Sequence, residues 1–222
     1  MSDRTALVYR GPATLPGCPD AVEELLDGLG YDVRTVGPDG ALALDARTLA
    51  GAALYAQPGG GTLEHAWRHL RRHRKQLRRW VAGGGRYLGF CLGGYLAGAT
   101  PGLKLLPGDT DQYIGTPGAT VTTDDDTVVT LRWRGHDRRV FFQDGPVFEI
   151  DEDAAEVIAR YPNGTVAAVV APYGDGRVGV VGPHPEATDD WFTDLGLDVP
   201  HDGPHGRLAQ DLARDLVRVT TV

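Results

Sequence analysis

The stretch RYLGFCLGGYLAG, residues 86–98, decides the fold class of this 222-residue chain. A short apolar run typical of a buried strand ends at Cys91, and a segment typical of a helix begins directly after it. Gly89 and Gly93 flank the cysteine in the spacing G-x-C-x-G, which leaves room for an abrupt turn. The stretch therefore predicts a nucleophile elbow, a sharp strand-to-helix turn that exposes a reactive side chain, with Cys91 at its tip.

The predicted elbow would affect both the ionisation of Cys91 and the stabilisation of a reaction intermediate. The thiol would lie at a helix N-terminus, where backbone N–H groups favour the thiolate. The N–H of Leu92, the next residue, could stabilise a developing oxyanion. The alternative interpretation is a buried, inert cysteine in a glycine-rich crossover turn.

Strand and helix signals alternate through the first hundred residues. Four runs predict strands: 5–10, 31–36, 51–57 and 86–90. Helices are predicted at 21–29, with Asp20 as the N-cap, and at 63–81. The alternation predicts an α/β fold with a parallel sheet and helices on both faces. Sites in such sheets lie at the carboxyl ends of the strands, so the loops at 11–18 and 57–61 should share an edge with Cys91.

After residue 115 the pattern changes to short strands with Asp/Gly turns. GDG at 174–176 predicts a hairpin turn, and DDD at 124–126 predicts a hairpin tip. We expect a mixed sheet or a small β-layer added to the core. The predicted division is one domain over 1–190, with a C-terminal loop and helix (about 206–219) in 191–222 packed on it.

The bulk composition narrows the functional classes. The net charge of −8 argues against general nucleic-acid binding. No apolar run reaches the roughly 18 residues of a membrane span, so we expect no membrane insertion. The N-terminus lacks a signal-peptide pattern, which predicts a cytoplasmic protein. In that compartment Cys18 and Cys91 should be reduced thiols, with a disulfide between them as the alternative.

Of the seven histidines, His184 in VVGPHPEAT, residues 180–188, is the best partner for a cysteine nucleophile. It follows a strongly apolar strand and therefore also lies at a strand end. Pro183 and Pro185 hold the local backbone stiff and extended. Residues i and i+2 of an extended chain point the same way, so Glu186 should reach the back of the His184 ring. The alternative is an ordinary loop histidine beside prolines.

Five segments in a fixed order then resemble a known family: LVYRGPAT (7–14), QPGGGT (57–62), GGGRYLGFCLGGY (83–95), FFQDGPVF (141–148) and GPHPEA (182–187). The set is similar to the class I glutamine amidotransferase-like superfamily. Its closer resemblance is to the N-terminal domain of biotin–protein ligases and its stand-alone relatives. The resemblance spans roughly residues 5–187.

The resemblance implies a flavodoxin-like sheet and a catalytic triad of Cys91, His184 and Glu186. It also implies an oxyanion hole formed by the amides of Leu92 and of Gly59 or Gly60. The chain order, with the acid after the histidine, differs from that of α/β-hydrolases, which place nucleophile, acid and histidine in sequence. The function expected is a cysteine-nucleophile hydrolase or amidotransferase-like enzyme acting on a carboxamide or related acyl group.

One departure from the superfamily keeps a second function open. Amidotransferases commonly continue the elbow as G-x-C-x-G-x-Q, and Tyr95 stands in place of that glutamine, as in the biotin-ligase-type branch. A rigid ring cannot offer the donor and acceptor of an amide, but it could stack on a flat substrate. The alternative is a non-catalytic binding or regulatory module related to the biotin–protein ligase N-terminal domain.

Three further features have candidate roles. Gln143 and Asp144, in the QDG turn, could contact a small polar substrate. The helix at 63–81 carries an arginine-rich face, which is either simply solvated or docks an acidic protein partner. His65, His69 and His73 have helical spacing, but no second cluster supports them, so neither a metal nor a cofactor is expected.

Overall fold

The structure, a computed structural model, describes residues 4–200 and 206–217. Its helices are α1 (Cys18–Gly28), α2 (Ala46–Ala50), α3 (Leu63–Leu70), α4 (Arg74–Ala82), α5 (Leu92–Ala97), α6 (Asp189–Thr193) and α7 (Arg207–Val217). Its strands are β1 (Thr5–Tyr9), β2 (Asp32–Val36), β3 (Leu54–Gln57), β4 (Arg86–Phe90), β5 (Gly108–Gln112), β6 (Thr127–Trp133), β7 (His136–Phe142), β8 (Pro146–Ile150), β9 (Glu156–Arg160), β10 (Val166–Tyr173) and β11 (Gly176–Val181).

Nine of the strands in the described ranges form one mixed sheet, in the order β2-β1-β3-β4-β11-β10-β9-β6-β7. The β2-β1-β3-β4-β11 half is parallel. The β11-β10-β9-β6-β7 half is antiparallel. Strands β5 and β8 pair separately as a small antiparallel layer. The predicted α/β class is confirmed, and most of the later strands extend the main sheet.

The core lies on both faces of this sheet. On one face, α1 and α7 bury leucines that include Leu26, Leu212 and Leu216. On the other, α3, α4 and α5 bury a second cluster that includes Leu70 and Leu77.

Helix α7 is also tied to the sheet by polar contacts, since Arg86 Nε donates to the Leu216 carbonyl at 2.9 Å. The predicted C-terminal helix is present from Arg207 to Val217. Residues 218–219, which the prediction included, lie outside the described residues.

Two predicted helix features were wrong. The helix expected over 63–81 is divided into α3 and α4 by a 3₁₀ turn at Arg71–His73. Its buried residues nevertheless keep one stripe, so the two helices cover the sheet as a continuous helix would. Asp20 does not cap α1, because Gly17 at φ +87° and Pro19 start the helix earlier. Asp20 instead pairs with Arg10.

Of the two hairpin predictions, one is confirmed and the other was wrong. The GDG turn is confirmed, since Tyr173 pairs with Gly176 across Gly174, which has φ +61°. DDD at 124–126 is not a hairpin tip. The β6–β7 hairpin turns at residues 134–135 instead, where Gly135 supplies the positive φ of +82°.

No helix in the described ranges combines the length and apolar character that a membrane span requires.

The elbow is fixed by the close approach of two glycines. Cys91 has φ +46° and ψ −105°, between the end of β4 and the start of α5. A Cβ on Gly89 would come within 2.5 Å of the Gly93 carbonyl oxygen, and a Cβ on Gly93 would overlap the Gln57 carbonyl oxygen. The G-x-C-x-G spacing is therefore a steric requirement of the turn.

Replacing Gly89 by alanine should destabilise the protein, because the methyl group has no space against the Gly93 backbone. We expect a loss of about 1–3 kcal/mol in the free energy of unfolding, measured by urea denaturation. Gly28→Ala is the matched control, since open space surrounds Gly28 at the end of α1. Equal stability of the two variants would contradict the steric account.

Candidate active site

The loops after β1, β3 and β4 meet at one edge of the sheet, as predicted. Gln57 Nε2 donates to the carbonyl of Ala13 at 2.8 Å, and Thr14 Oγ1 donates to the carbonyl of Gly59 at 2.7 Å. Gln57 is fully buried, and its Oε1 accepts from the Tyr55 hydroxyl at 2.7 Å. These hydrogen bonds fix the two loops relative to each other. Sequence analysis missed Gln57 and Thr14 as positioning residues, although both lie in the segments that carry the family resemblance.

Cys91 lies at the centre of this edge. Its Sγ is 3.5 Å from the Gln143 carbonyl oxygen, to which the thiol donates. Its backbone N–H donates to the Val181 carbonyl at 2.9 Å. The expectation of an exposed thiol was wrong: Cys91 is 5% exposed. The turn that contains Gln143 and the neighbouring loops close over the elbow tip, so access to the sulfur is narrow.

His184 packs directly against the elbow. The backbone N–H of His184 donates to the Phe141 carbonyl at 2.8 Å, and this bond fixes the chain after β11 to the end of β7. A Cβ on Gly59 would overlap the Cε1 atom of the His184 ring and lie 3.3 Å from Cys91 Cβ. Only glycine at position 59 lets the ring and the elbow come this close.

Glu186 lies on the other side of the imidazole. Its Oε1 is 2.9 Å from His184 Nδ1, and the Glu186 side chain is fully buried. A turn brings the two together, since the Ala187 N–H donates to the His184 carbonyl at 3.2 Å. Oε2 of Glu186 has no hydrogen-bond partner in the described part of the chain. A buried carboxylate held in this way favours a positive charge on the adjacent ring.

The electrostatics of His184 follow from these neighbours. Burial alone would lower its pKa, because a charged imidazolium loses hydration. The negative charges of Cys91 and Glu186, together with the hydrogen bond from Glu186, outweigh burial and raise the pKa of His184 well above its ordinary value. The surroundings of the ring therefore favour its charged, imidazolium form.

Cys18 lies near this cluster but in a different setting. Burial raises the pKa of the Cys18 thiol to about 11, although the charge of His184 acts in the opposite direction. Both cysteines are free thiols, so the disulfide alternative is absent from this structure. Of the two, Cys91 has its sulfur hydrogen-bonded to the Gln143 carbonyl, beside the His184 ring.

The structure also brings Tyr95, Gln143 and Asp144 close to Cys91. The Tyr95 hydroxyl is buried and has no hydrogen-bond partner within the described residues. Burial raises the pKa of Tyr95, and the negative charges of Asp144 and Cys91 add to that effect. Asp144, at φ +44°, accepts from Gln112 Nε2 at 2.9 and 3.1 Å. The backbone carbonyl of Gln143 accepts from the Cys91 thiol. Its side-chain Nε2 donates to the Asp124 carbonyl at 3.3 Å.

The predicted oxyanion donors are the backbone amides of Leu92 and of Gly59 or Gly60. Leu92 is the first residue of α5, so its N–H has no intrahelical acceptor. Gly59 contacts the ring and the elbow as described above. Gly60 has φ +88°, and a Cβ there would lie 2.7 Å from Leu15 Cβ. Gly59 therefore allows the backbone to approach Cys91, and Gly60 allows it to approach Leu15.

A pocket of about 330 Å³ adjoins the histidine. Its inner wall includes His184, Gln143 and Cys18, which sequence analysis had singled out. Sequence analysis missed the outer part, which is formed by residues far apart in the chain: Leu15, Pro16, Asp126, Phe141, Trp191, Asp194 and Leu195. Only the hydrophobic character of the segments around Phe141 and Trp191 could have indicated an apolar wall.

The arginine-rich surface of α3 and α4 lies on a different part of the molecule. Five cations on it are exposed: Arg68, Arg71, Arg72, Lys75 and Arg79. Others are used internally, since Arg78 Nε donates to the Tyr173 hydroxyl at 2.6 Å. The His65 and His69 rings lie 4.9 Å apart at an interplanar angle of 54°, but no three potential ligands come together for a metal within the described residues.

Comparisons with known proteins agree with this architecture. The family model for the N-terminal part of biotin–protein ligase matches residues 4–104. No protein with a curated description matches the sequence. The resemblance to the biotin–protein ligase N-terminal family is thus confirmed over the part of the chain that contains β1–β4 and the elbow.

Solved structures extend the likeness over most of the chain. A glutamine amidotransferase aligns with a TM-score of 0.63 and 19% identity, covering 86% of this chain and 95% of that one. A glutamine amidotransferase from Thermotoga maritima aligns at 0.62 and 15%, covering 88% and 81%. Another, from Methylobacillus flagellatus, aligns at 0.59 and 18%, covering 96% and 86%. The fold is therefore that of glutamine amidotransferases, as the sequence resemblance predicted.

Cys91 should be alkylated before Cys18. With a pKa of about 11, Cys18 is ionised to only about one part in ten thousand at pH 7. Limited treatment with iodoacetamide at pH 7, followed by peptide mapping, measures which thiol reacts. Cys91→Ser and Cys18→Ser supply matched controls, and labelling of Cys18 ahead of Cys91 would contradict the assignment.

Removing His184 should slow the labelling of Cys91, because the imidazolium no longer stabilises the thiolate. We expect His184→Ala to react on the order of tenfold more slowly at pH 6–7. His136→Ala, at an exposed histidine of β7, is the control, and circular dichroism verifies that both variants are folded. A wild-type rate for His184→Ala throughout pH 6–9 would show that the two side chains are not coupled.

Proposed function

We propose that the protein is a cysteine-dependent amide hydrolase or amidotransferase-like enzyme acting on a small molecule. Cys91 is the nucleophile, His184 the general base and acid, and Glu186 the residue that orients His184. The observation that carries the proposal is the buried imidazole, placed between the elbow thiol and a fully buried carboxylate at 2.9 Å from its Nδ1. This is the arrangement that nucleophilic catalysis by cysteine requires.

The reaction follows from the positions of these groups. The Cys91 thiolate attacks the amide carbonyl carbon and forms a C–S bond, while the carbonyl π electrons move to oxygen. The amides of Leu92 and of Gly59 or Gly60 stabilise that oxyanion. The C–N bond then breaks as His184 donates its proton to the leaving nitrogen, which releases an amine and leaves a thioester.

Cleavage of the thioester uses the same histidine as a general base. Now neutral, His184 accepts a proton from water or from an acceptor amine as it attacks the thioester carbonyl. The C–S bond breaks, and the thiolate–imidazolium pair is restored. The high pKa of His184 favours the ion pair that begins and ends this cycle.

A non-catalytic binding or regulatory module is the second candidate. Two observations favour it: Cys91 is 5% exposed, and Tyr95 is buried in the place where amidotransferases commonly carry a glutamine. Both restrict what reaches the thiol. A module of this kind would keep the pocket and bind a ligand without forming an acyl-enzyme.

Trapping the acyl-enzyme decides between the two. The protein is incubated with a panel of p-nitrophenyl esters and amides, quenched in acid and analysed by intact mass. We expect an acyl adduct that maps to Cys91 and is absent in Cys91→Ala. If no adduct forms while Cys91 still reacts with iodoacetamide, the protein is the binding module.

Free L-glutamine should be a poor substrate. Recognition of its α-carboxylate and α-amino group needs well-placed polar partners, and a site lacking them rejects the ligand by orders of magnitude. Tyr95 offers a single hydroxyl, and among the described residues no lysine or arginine lines the pocket beside His184. Ammonia release from glutamine is measured against Cys91→Ala. Cys91-dependent turnover of about 1 per second or faster would contradict this expectation.

A further inference from the structure

The pocket beside His184 has an apolar mouth. Leu15 and Leu195, which line it, are 51% and 50% exposed. Pro16 lies with them. Leucine side chains this exposed on the rim of a concave site are typical of surfaces that an apolar ligand group covers.

The back of the pocket is aromatic and rigid. The Phe141 ring packs edge-on against Trp191 at 5.3 Å and against Phe192 at 5.4 Å, and Trp191 lies 5.2 Å from the His184 ring. Phe141 and Phe192 form a small core cluster of their own with Ala187. The wall is therefore held in place before any ligand binds.

The charges of the lining define the ligand further. Asp126 and Asp194 are its carboxylates, and in the described residues no lysine or arginine faces the pocket. The two carboxylates would repel an anionic group. The His184 ring also faces the pocket, but its Nδ1 is already paired with Glu186 at 2.9 Å. An uncharged aromatic or branched aliphatic group meets no such penalty.

The pocket is continuous with the proposed reaction centre. Gln143 lines it and also accepts the hydrogen bond from Cys91 Sγ at 3.5 Å. His184 forms another part of its wall. A group bound there is therefore adjacent to a carbonyl held over the thiol.

We propose that this pocket binds an uncharged apolar substituent, aromatic or branched aliphatic, on the amide substrate, and that it excludes substrates bearing an anion at that position. The inference rests on the proposed function in taking Cys91 as the point of attack. It names a substrate class unlike free glutamine, namely carboxamides with an apolar substituent next to the reacting group.

Haloacetamide probes test the pocket without requiring turnover. Labelling of Cys91 is measured as a function of concentration for N-benzyl iodoacetamide, for its 4-carboxybenzyl analogue and for plain iodoacetamide. We expect the benzyl probe to half-saturate at a concentration about tenfold lower than the carboxybenzyl probe, because only the former buries its ring without an anion. Equal half-saturation by the two substituted probes would overturn the proposal.

Two exposed leucines provide a matched pair of variants. Leu195→Asp places a charge on the rim, whereas Leu42→Asp does so at a 40% exposed leucine outside the pocket. The ratio of benzyl-probe to plain-probe labelling should fall severalfold in Leu195→Asp and stay at the wild-type value in Leu42→Asp. The same change in both variants, or in neither, would overturn the proposal.

A charge reversal gives the opposite readout. Asp194→Lys should improve labelling by the carboxybenzyl probe relative to the benzyl probe, since the new cation faces the carboxylate. An unchanged ratio of the two probes would contradict the charge argument.

Two further outcomes separate this proposal from its alternatives. Size-exclusion chromatography tests another occupant: a dimer that Leu195→Asp dissociates would make the rim a self-association surface and overturn the assignment. Absence of an acyl-enzyme in the trapping experiment, with probe selectivity retained, would remove the catalytic proposal and leave the pocket as a ligand site.

Discussion

The contact between the backbones of Gly89 and Gly93 is the constraint on which the rest of the site depends. It allows β4 to turn into α5 within one residue, which holds Cys91 at φ +46°. A side chain at Gly89 would push β4 away from α5, and one at Gly93 would push α5 away from the Gln57 carbonyl of β3, so either would displace the elbow. The strain of a positive φ at a non-glycine residue persists here because the surrounding backbone leaves no alternative. Backbone packing therefore fixes the turn, and the position of the reactive sulfur follows from it.

Parallel strands then gather the remaining groups around that point. Strands β1, β3, β4 and β11 end at the same edge, so the loops that follow them converge on Cys91 although they are far apart in sequence. Buried Gln57 locks two of these loops together. The antiparallel strands contribute as well, because β7 fixes His184 through the Phe141 carbonyl.

Burial and charge act together at the histidine. A protonated imidazole inside a protein is costly unless negative groups surround it. Here Glu186 and Cys91 supply those charges, and their combined effect exceeds the desolvation that opposes it. Burial raises the pKa of Cys18, whereas at His184 the neighbouring negative groups outweigh burial.

The sequence by itself determined the local chemistry: the elbow spacing, the H-P-E segment, the β1–β4 alternation and the resemblance to the amidotransferase-like superfamily. These follow from short-range patterns of glycine, proline and apolar period, which act within a few residues. The start of α1 at Cys18 and the position of the β6–β7 turn also follow from local signals, namely Gly17 with Pro19 and the positive φ of Gly135. The periodic pattern over 63–81 did not indicate the break at Arg71–His73, because the buried stripe continues through it.

Only the tertiary structure decided what surrounds the thiol. The closure over Cys91, the role of Gln57 and the apolar pocket bring together residues such as Leu15, Asp126 and Leu195, which lie in separate parts of the chain. No local pattern links them, because their proximity comes from the order of the strands. Short-range patterns therefore determine which groups can react, and the fold decides what those groups can reach.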